Sequence, residues 1–258
     1  MKFGCCTSPA NIEVLARAGY DFIDFPGAAI VATEENDFTD IKKRLSASGL
    51  TCEGFHASVP PSMRLAGPLV NEDTIAAHFH VLASRARDLG CTRIGLGSPK
   101  SRSVNLGSDP RAHRDDFLRI FALAARICAD HGVSLLLEAL RLQDANFINT
   151  QAEALAILSE IREFNVGTIF DLFHFIEAGE KIEAITPAVV ERIGYLHIAE
   201  PNGRGYPKPE NNAPYRPVLA RLKELGYTGD RISVECPGAD FSSGHESALR
   251  ALRELYAV

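Results

Sequence analysis

Short apolar runs alternate with longer amphipathic stretches along the whole chain. The runs are rich in β-branched residues and are bounded by turn signals, which is typical of buried strands. Eight runs are predicted as strands: Lys2–Cys6, Phe22–Phe25, Thr51–His56, Arg93–Gly97, Ser134–Glu138, Gly167–Asp171, Gly194–Ile198 and Ile232–Cys236. Strands that alternate with helices form a parallel sheet, because each helix returns the chain to the same end of the sheet.

The stretches between the runs show the apolar spacing of amphipathic helices. They predict helices over Ala10–Ala18, Phe38–Ser48, Asp73–Leu89, Arg111–His131, Ala152–Phe164, Pro187–Arg192, Pro214–Leu225 and Glu246–Tyr256. Eight strand–helix pairs without a glycine-rich dinucleotide fingerprint favour a closed barrel over an open doubly wound sheet. We therefore predict an α/β protein, a single (β/α)8 TIM barrel with residues 1–258 as one domain.

Composition and charge exclude several classes of protein. Hydrophobic residues make up 46% and charged residues 23% of the chain, which is the balance of a globular protein and not of a disordered chain. A net charge of −6 disfavours a nucleic-acid-binding protein, which needs a basic excess to meet phosphates. No signal-peptide pattern and no long apolar run is visible. We expect a cytoplasmic protein without a membrane partner, whose cysteines are reduced.

Four consecutive predicted strands end in a residue that can bind a metal ion. These residues are Glu138, Asp171, His197 and Glu235, and they are separated by 33, 26 and 38 residues. The separations are close to one strand–helix unit each, so the four residues fall at equivalent heights on strands five to eight. The carboxyl ends of the strands in such a barrel meet at one face, where active sites lie. We therefore expect the four side chains to converge.

The four residue types together indicate a site for one divalent ion. Carboxylates that converge on one point raise each other's pKa unless a cation lies between them. Three carboxylates and one imidazole form a mixed oxygen and nitrogen ligand set that suits Mn²⁺, Mg²⁺, Co²⁺ or Zn²⁺. Each residue alone is also typical of a strand end that caps a loop or pairs with a basic side chain.

The segments around these residues resemble the xylose-isomerase-like TIM barrels, in particular the ketohexose 3-epimerases, hydroxypyruvate isomerases and inosose dehydratases. The matching segments are Leu137-Glu138-Ala139-Leu140, Asp171-Leu172-Phe173-His174, His197-Ile198-Ala199-Glu200 with a following arginine, and Val234-Glu235. The resemblance runs from end to end and implies that Glu138, Asp171, His197 and Glu235 bind the metal. It also implies that Glu138 and Glu235 form an acid/base pair, which moves a proton next to the ketone of a small sugar or sugar-derived substrate through an enediolate.

Further residues are implied to contact the substrate. His174 corresponds to a residue that hydrogen-bonds a substrate oxygen near the carbonyl. Arg204 would reach substrate hydroxyls or a carboxylate, although it follows His197 by seven residues, whereas the epimerases have their arginine six residues on. Asp144 falls where ketohexose epimerases often have a glutamate near the terminal carbons of the sugar. His56 ends the third strand and would face the same mouth. Ordinary loop or structural roles remain the alternative for each.

Three rival functions share this barrel. A dehydratase would form the same enediolate but expel a β-hydroxyl as water, and the sequence leaves that choice open. An endonuclease-IV-like nuclease needs further histidines, yet strand four ends in Gly97-Ser98 and residues 205–212 contain no histidine. The complete ligand set disfavours a non-catalytic sugar-binding protein. The substrate and its phosphorylation, the native metal and the oligomeric state, including a homo-oligomer, also stay open.

The remaining histidines are not expected to belong to the site. We predict them at the surface or at helix caps: His78, His80, His113, His131 and His245. His78 and His80 lie two residues apart on one helix, so their side chains point to different sides.

Overall fold

The computed structural model describes residues 1–201 and 203–257 of the chain. Across these residues the strands are β1 Lys2–Cys6, β2 Phe22–Pro26, β3 Thr51–His56, β4 Arg93–Leu96, β5 Ser134–Glu138, β6 Val166–Asp171, β7 Ile193–Ile198 and β8 Arg231–Val234. All pair in parallel with their neighbours in chain order, and β8 pairs with β1 to close the barrel. The predicted (β/α)8 TIM barrel is confirmed.

Helices surround the barrel, and the longer ones each have a buried side and an exposed side. In the described part of the chain they are α1 Ile12–Ala18, α2 Gly27–Ala32, α3 Glu35–Ser48, α4 Glu72–Asp88, α5 Pro99–Arg102, α6 Pro110–Asp130, α7 Gln151–Leu158, α8 Leu172–Glu177, α9 Pro187–Arg192, α10 Tyr215–Glu224 and α11 Phe241–Tyr256. Short 3-10 helices lie at Pro9–Asn11, Ile182–Ala184 and Pro209–Asn211. None of these described helices has the length and apolarity needed to cross a membrane.

Large side chains fill the barrel interior below the mouth. Phe22, Leu136, Ile169 and Tyr195 form a buried cluster there, separate from the layer between strands and helices. A Cβ atom on Gly4 would lie 1.8 Å from the ring of Phe22, so only glycine leaves room for that ring. The interior is therefore a packed core, and the space for a ligand lies above it at the carboxyl ends of the strands.

Two predicted helix boundaries are wrong by five residues or more, and the other helix ends agree or differ by smaller shifts. The helix predicted over Ala152–Phe164 ends at Leu158, where the hydroxyl of Ser159 donates to the carbonyl of Ala156 at 2.9 Å. Phe164 is 94% exposed and adds nothing to a buried face. The last helix begins at Phe241, before the predicted start, because the Asp240 carboxylate accepts a hydrogen bond from the backbone of the first turn. The short helices α2, α5 and α8 span too few residues for a helical period to be visible in the sequence.

The prediction that the remaining histidines lie at the surface or at helix caps is wrong for His78, His113 and His245, which are buried within α4, α6 and α11. The spacing of His78 and His80 does place them on different faces, but one of those faces packs on the barrel. Nε2 of His78 lies 2.8 Å from the carbonyl oxygen of Ser58, and Nε2 of His113 lies 2.8 Å from that of Arg102. Burial lowers the pKa of both imidazoles, so they act as neutral donors. These bonds anchor the loops after β3 and β4 to the outer helices.

Candidate metal centre and active site

Four buried side chains converge at the carboxyl ends of β5 to β8. Glu138 ends β5, Asp171 ends β6, His197 lies in β7, and Glu235 directly follows β8. Asp171 and His197 are paired across β6 and β7, so they lie at the same height in the barrel. The four side chains each offer one ligand atom, and all four atoms lie within 4.8 Å of one another. The structure therefore brings together the four residues that the sequence singled out.

The chemistry of the converging atoms fits a divalent cation. Among the described residues, Glu138 Oε1, Asp171 Oδ2 and His197 Nδ1 are buried and have no hydrogen-bond partner. The Nδ1 atom of His197 lies 3.4 Å from Glu138 Oε1 and 3.6 Å from Glu235 Oε2. A buried polar atom without a partner costs about 1–3 kcal/mol, and more when it is charged. A cation between these atoms would satisfy all of them, and the oxygen and nitrogen set suits the divalent ions named above.

The electrostatics of the cluster also favour a positive charge at its centre. Burial raises the pKa of Asp171 to about 7, with a further contribution from the charges of Glu138 and Glu235. Burial opposes a charge on His197, yet its contacts with Cys6 and the two glutamates raise its pKa well above the ordinary value. The site therefore attracts protons when nothing else neutralises it, and a divalent ion would compete with them for the same atoms.

A glycine after β4 leaves the space that Glu138 occupies. A Cβ atom on Gly97 would lie 2.4 Å from Glu138 Oε2. A side chain there would push the carboxylate away from the centre. Sequence reasoning missed this role, although a glycine at a strand end beside a predicted ligand is a signal that could have suggested it.

Arg204 links two of the predicted residues across the mouth. Its Nη2 donates to Glu235 Oε2 at 2.8 Å, and its Nη1 lies 3.7 Å from Asp144 Oδ2. Arg204 has a φ of 53°, in the left-handed region that a non-glycine residue adopts only at a cost. Burial raises the pKa of a carboxylate, but the charge of Arg204 outweighs it and holds the pKa of Glu235 well below its usual range. Glu235 is therefore ionised at neutral pH.

His174 is neutral and directs one nitrogen towards the centre. Its Nδ1 accepts a hydrogen bond from the backbone N–H of Arg141 at 3.2 Å, so the proton of the neutral ring is on Nε2. Burial and the charge of Arg204 lower the pKa of His174 to about 3. Its Nε2 lies 3.7 Å from Asp171 Oδ2 and has no hydrogen-bond partner among the described residues. His174 can therefore donate to an oxygen that enters the site.

A cavity of about 460 Å³ opens beside the cluster. It is lined by Glu138, Arg204, Glu235 and His56, by Ser98, Lys100 and Ser101, and by an apolar wall that includes Pro26, Ala28, Val59, Pro61 and Leu140. His56 lies with its Nδ1 3.5 Å from Glu235 Oε1. The volume suits a small molecule. The apolar wall comes from three separate segments: the end of β2 with α2, the loop after β3 and the loop after β5.

Comparisons with known proteins agree with this architecture. The model of the xylose isomerase-like TIM barrel family matches residues 12–257. An L-ribulose 3-epimerase from Methylomonas sp. (strain DH-1) is 29% identical over 227 residues, which are 83% of this chain and 73% of that protein. A ketose 3-epimerase from Arthrobacter globiformis is 30% identical over 254 residues, which are 96% of this chain and 84% of that protein.

Solved structures show the same fold. The crystal structure of D-psicose 3-epimerase with D-tagatose from Clostridium cellulolyticum H10 superposes with a TM-score of 0.83 and 19% identity, covering 100% of this chain and 99% of that one. The fold, the family match and the related sequences lead to one conclusion: this chain belongs to the xylose isomerase-like TIM barrel family.

Proposed function

We propose that the protein is a divalent-metal-dependent isomerase or epimerase that acts on a ketose or a related hydroxyketone. The observation that carries the proposal is the convergence of four buried ligand atoms within 4.8 Å of one another beside a cavity. The relatives support the reaction class, because their names describe sugar epimerases. One ion of Mn²⁺, Mg²⁺, Co²⁺ or Zn²⁺ per chain would be held by Glu138, Asp171, His197 and Glu235.

Glu138 and Glu235 are proposed as the acid/base pair. They line the cavity, and one carboxylate oxygen of each lies close to His197 Nδ1, at 3.4 Å for Glu138 and 3.6 Å for Glu235. One glutamate removes the proton from the carbon next to the substrate carbonyl, and the other returns a proton. Return to the opposite face of the same carbon inverts it, whereas return to the neighbouring carbon moves the carbonyl. A bound divalent ion supplies the positive charge that stabilises the enediolate between these steps.

The contact between Arg204 and Glu235 suggests how the base is made ready. Arg204 holds Glu235 in its ionised form, but the same hydrogen bond makes the carboxylate a weak base. A substrate oxygen that accepts the hydrogen bond from Arg204 releases Glu235 Oε2 and raises its basicity. Proton removal would then be favoured only when the substrate is in place.

The other polar residues at the mouth are proposed to orient the substrate. His174 would donate its Nε2 proton to an oxygen near the carbonyl, and Arg204 would donate to a hydroxyl or a carboxylate. Asp144 accepts from Arg141 Nε at 2.9 Å and lies near Arg204, so it would hold both guanidinium groups and contact the far end of the substrate. His56 lines the cavity, and its buried Nε2 has no hydrogen-bond partner in the described part of the structure.

Replacement of Arg204 by alanine is expected to lower kcat/KM by about 10-fold or more while the bound metal is retained. The change removes a charged hydrogen-bond donor, which is worth about 1.5–3 kcal/mol. Steady-state kinetics together with elemental analysis test this. Arg216→Ala, at an exposed position on α10, serves as the matched control and should leave kinetics unchanged. If Arg204→Ala and Arg216→Ala show the same kinetics, Arg204 has a purely structural role.

Product analysis tests the reaction class. The metal-loaded protein would be incubated with ketopentoses and ketohexoses, short hydroxyketo acids and inososes, and the products followed by NMR. We expect an epimer or an isomer with the same elemental composition as the substrate. A dehydratase begins with the same proton abstraction but then expels water. An unsaturated product formed with loss of water would therefore show a dehydratase instead. No turnover of any substrate in the panel would contradict the proposal.

A further inference from the structure

A second polar cluster lies inside the barrel, just below the proposed metal site, and the mechanism does not use it. It consists of Cys6 on β1, Asp24 on β2, Tyr195 on β7 and Ser233 on β8, all of which are buried. It lies above the ring of Phe22, and it contacts His197 from the side opposite the two glutamates. We call these four residues the lower cluster.

The contacts place the two nitrogens of His197 in different surroundings. Nδ1 faces Glu138 and Glu235, whereas Nε2 lies 3.9 Å from Cys6 Sγ. The thiol of Cys6 in turn donates to Asp24 Oδ2 at 3.8 Å. His197 is therefore held between the proposed metal site above and the lower cluster below.

Asp24 places a carboxylate in the barrel interior, where burial of a charged group is costly. It is 1% exposed, its Oδ2 accepts a hydrogen bond from the Tyr195 hydroxyl at 2.8 Å, and its Oδ1 has no partner among the described residues. A Cβ atom on Gly54 would lie 3.1 Å from that Oδ1, so a glycine leaves it room. An apolar side chain would fill this position with less loss of hydration. The contacts of the Asp24 carboxylate with Cys6 and Tyr195 therefore point to a specific role for it.

The direction of these hydrogen bonds decides which nitrogen of His197 can bind a cation. A metal-binding imidazole needs a free lone pair on one nitrogen and a proton on the other, which it donates to a neighbour. Asp24 Oδ2 accepts the thiol proton of Cys6, and the hydroxyl of Ser233, 3.4 Å from the sulfur, can act as a second acceptor. The sulfur therefore keeps its lone pairs for the Nε2 proton of His197. If the thiol donated to Nε2 instead, a neutral ring would carry its proton on Nδ1, facing the glutamates, and could not bind the ion there.

We propose that Cys6 and Asp24 are positioning residues for His197, which together keep its Nε2 as a donor and its Nδ1 free for the divalent ion. The inference rests on the metal site of the proposed function. It adds two residues, from β1 and β2, that act only through His197. Neighbours of this kind typically change metal affinity by about 10–100-fold when they are removed.

The test compares two adjacent thiols on β1. Cys6→Ala removes the acceptor for Nε2, whereas Cys5→Ala removes a fully buried thiol in the outer core, because neighbouring side chains of a strand point to opposite faces. Titration calorimetry of the metal-stripped proteins with Co²⁺ gives the affinity, and thermal melting gives the stability. We expect about 10–100-fold weaker binding in Cys6→Ala and unchanged affinity in Cys5→Ala, although both lose stability. Cys6→Ser should restore affinity, since a hydroxyl can accept and donate in the same way.

Several results would overturn the inference. Equal affinities of Cys6→Ala and Cys5→Ala would do so while leaving the proposed function intact, because the wild type would still bind its ion. Two ions per wild-type chain, one of them lost in Cys6→Ala, would show that the lower cluster binds a metal itself. A wild type that binds no divalent ion would remove the inference and the proposed function together.

Asp24→Ala provides a second variant if Cys6→Ala does not fold. A methyl group cannot accept the thiol proton of Cys6, whereas an asparagine could keep its oxygen at the Oδ2 position, so the alanine variant is the one in which the affinity should again fall. Unchanged affinity in Asp24→Ala would contradict the proposed role of the carboxylate.

Discussion

Replacement of Glu138 or Glu235 by glutamine is expected to lower kcat by about 10²–10⁴-fold or more, because an amide can neither take up nor return the proton. The side chain keeps its size, and its oxygen can still approach a cation, so some metal should be retained. Because either glutamate can serve as base while the other serves as acid, both variants should lose turnover. Rates would be measured at saturating metal, with the bound ion quantified in each variant.

Asp144→Asn is the comparison for these variants, since it makes the same carboxylate-to-amide change at the same mouth. Asp144 contacts Arg204 and Arg141 and does not belong to the converging ligand atoms. Its replacement should act mainly on KM. If the two glutamine variants lose no more kcat than Asp144→Asn while their metal content stays intact, the acid/base assignment is wrong.

Asp171→Asn is expected to remove the bound ion and the activity that depends on it without unfolding the protein. Asp171 Oδ1 accepts from the backbone N–H of Phe173 at 2.8 Å at the start of α8, and the asparagine oxygen can keep this cap. The Oδ2 atom, which faces the other ligand atoms, becomes an amide that no longer neutralises a cation. The metal content measured by elemental analysis should fall from one ion per chain in the wild type to none in Asp171→Asn.

Melting temperatures separate this loss of metal from a loss of stability. A ligand at 100 times its dissociation constant stabilises a protein by about 2.7 kcal/mol, which raises Tm by roughly 5–10 °C for a chain of this size. The wild type should show this increase, and Asp171→Asn should not. The pKa of Asp171 is about 7 in the folded protein, above the ordinary value of 3.8, so its ionised form opposes folding at higher pH. The metal-stripped variant should therefore be at least as stable as the stripped wild type at pH 8. A Tm increase retained by Asp171→Asn would contradict the assigned ligand set.

The barrel and the convergence of the four ligand residues could be predicted because both follow from regular spacing. Each strand–helix unit returns the chain to the same face, so Glu138, Asp171 and His197 had to end at one place once the strands were recognised. Predicting the four ligand residues required no knowledge of any loop conformation. Their roles in catalysis remain predictions.

The remaining features depend on contacts between distant parts of the chain. Arg204 adopts a left-handed backbone conformation and its side chain reaches Glu235, and the sequence shows neither. Cys6 and His197 are 191 residues apart and meet across the barrel interior, so no local pattern links them. The burial of His78 likewise depends on which face of α4 packs on the barrel.

Incorporation of solvent deuterium tests the central claim, which is that a proton leaves and returns next to a carbonyl. The metal-loaded protein would turn over an accepted ketose or hydroxyketone in D₂O, and NMR and mass spectrometry would locate any label. We predict one deuterium on the carbon beside the carbonyl of the product, and no labelling above background with Glu138→Gln. Product that forms without solvent deuterium, with hydrogen carried directly from one carbon to the next, would show hydride transfer and contradict the account.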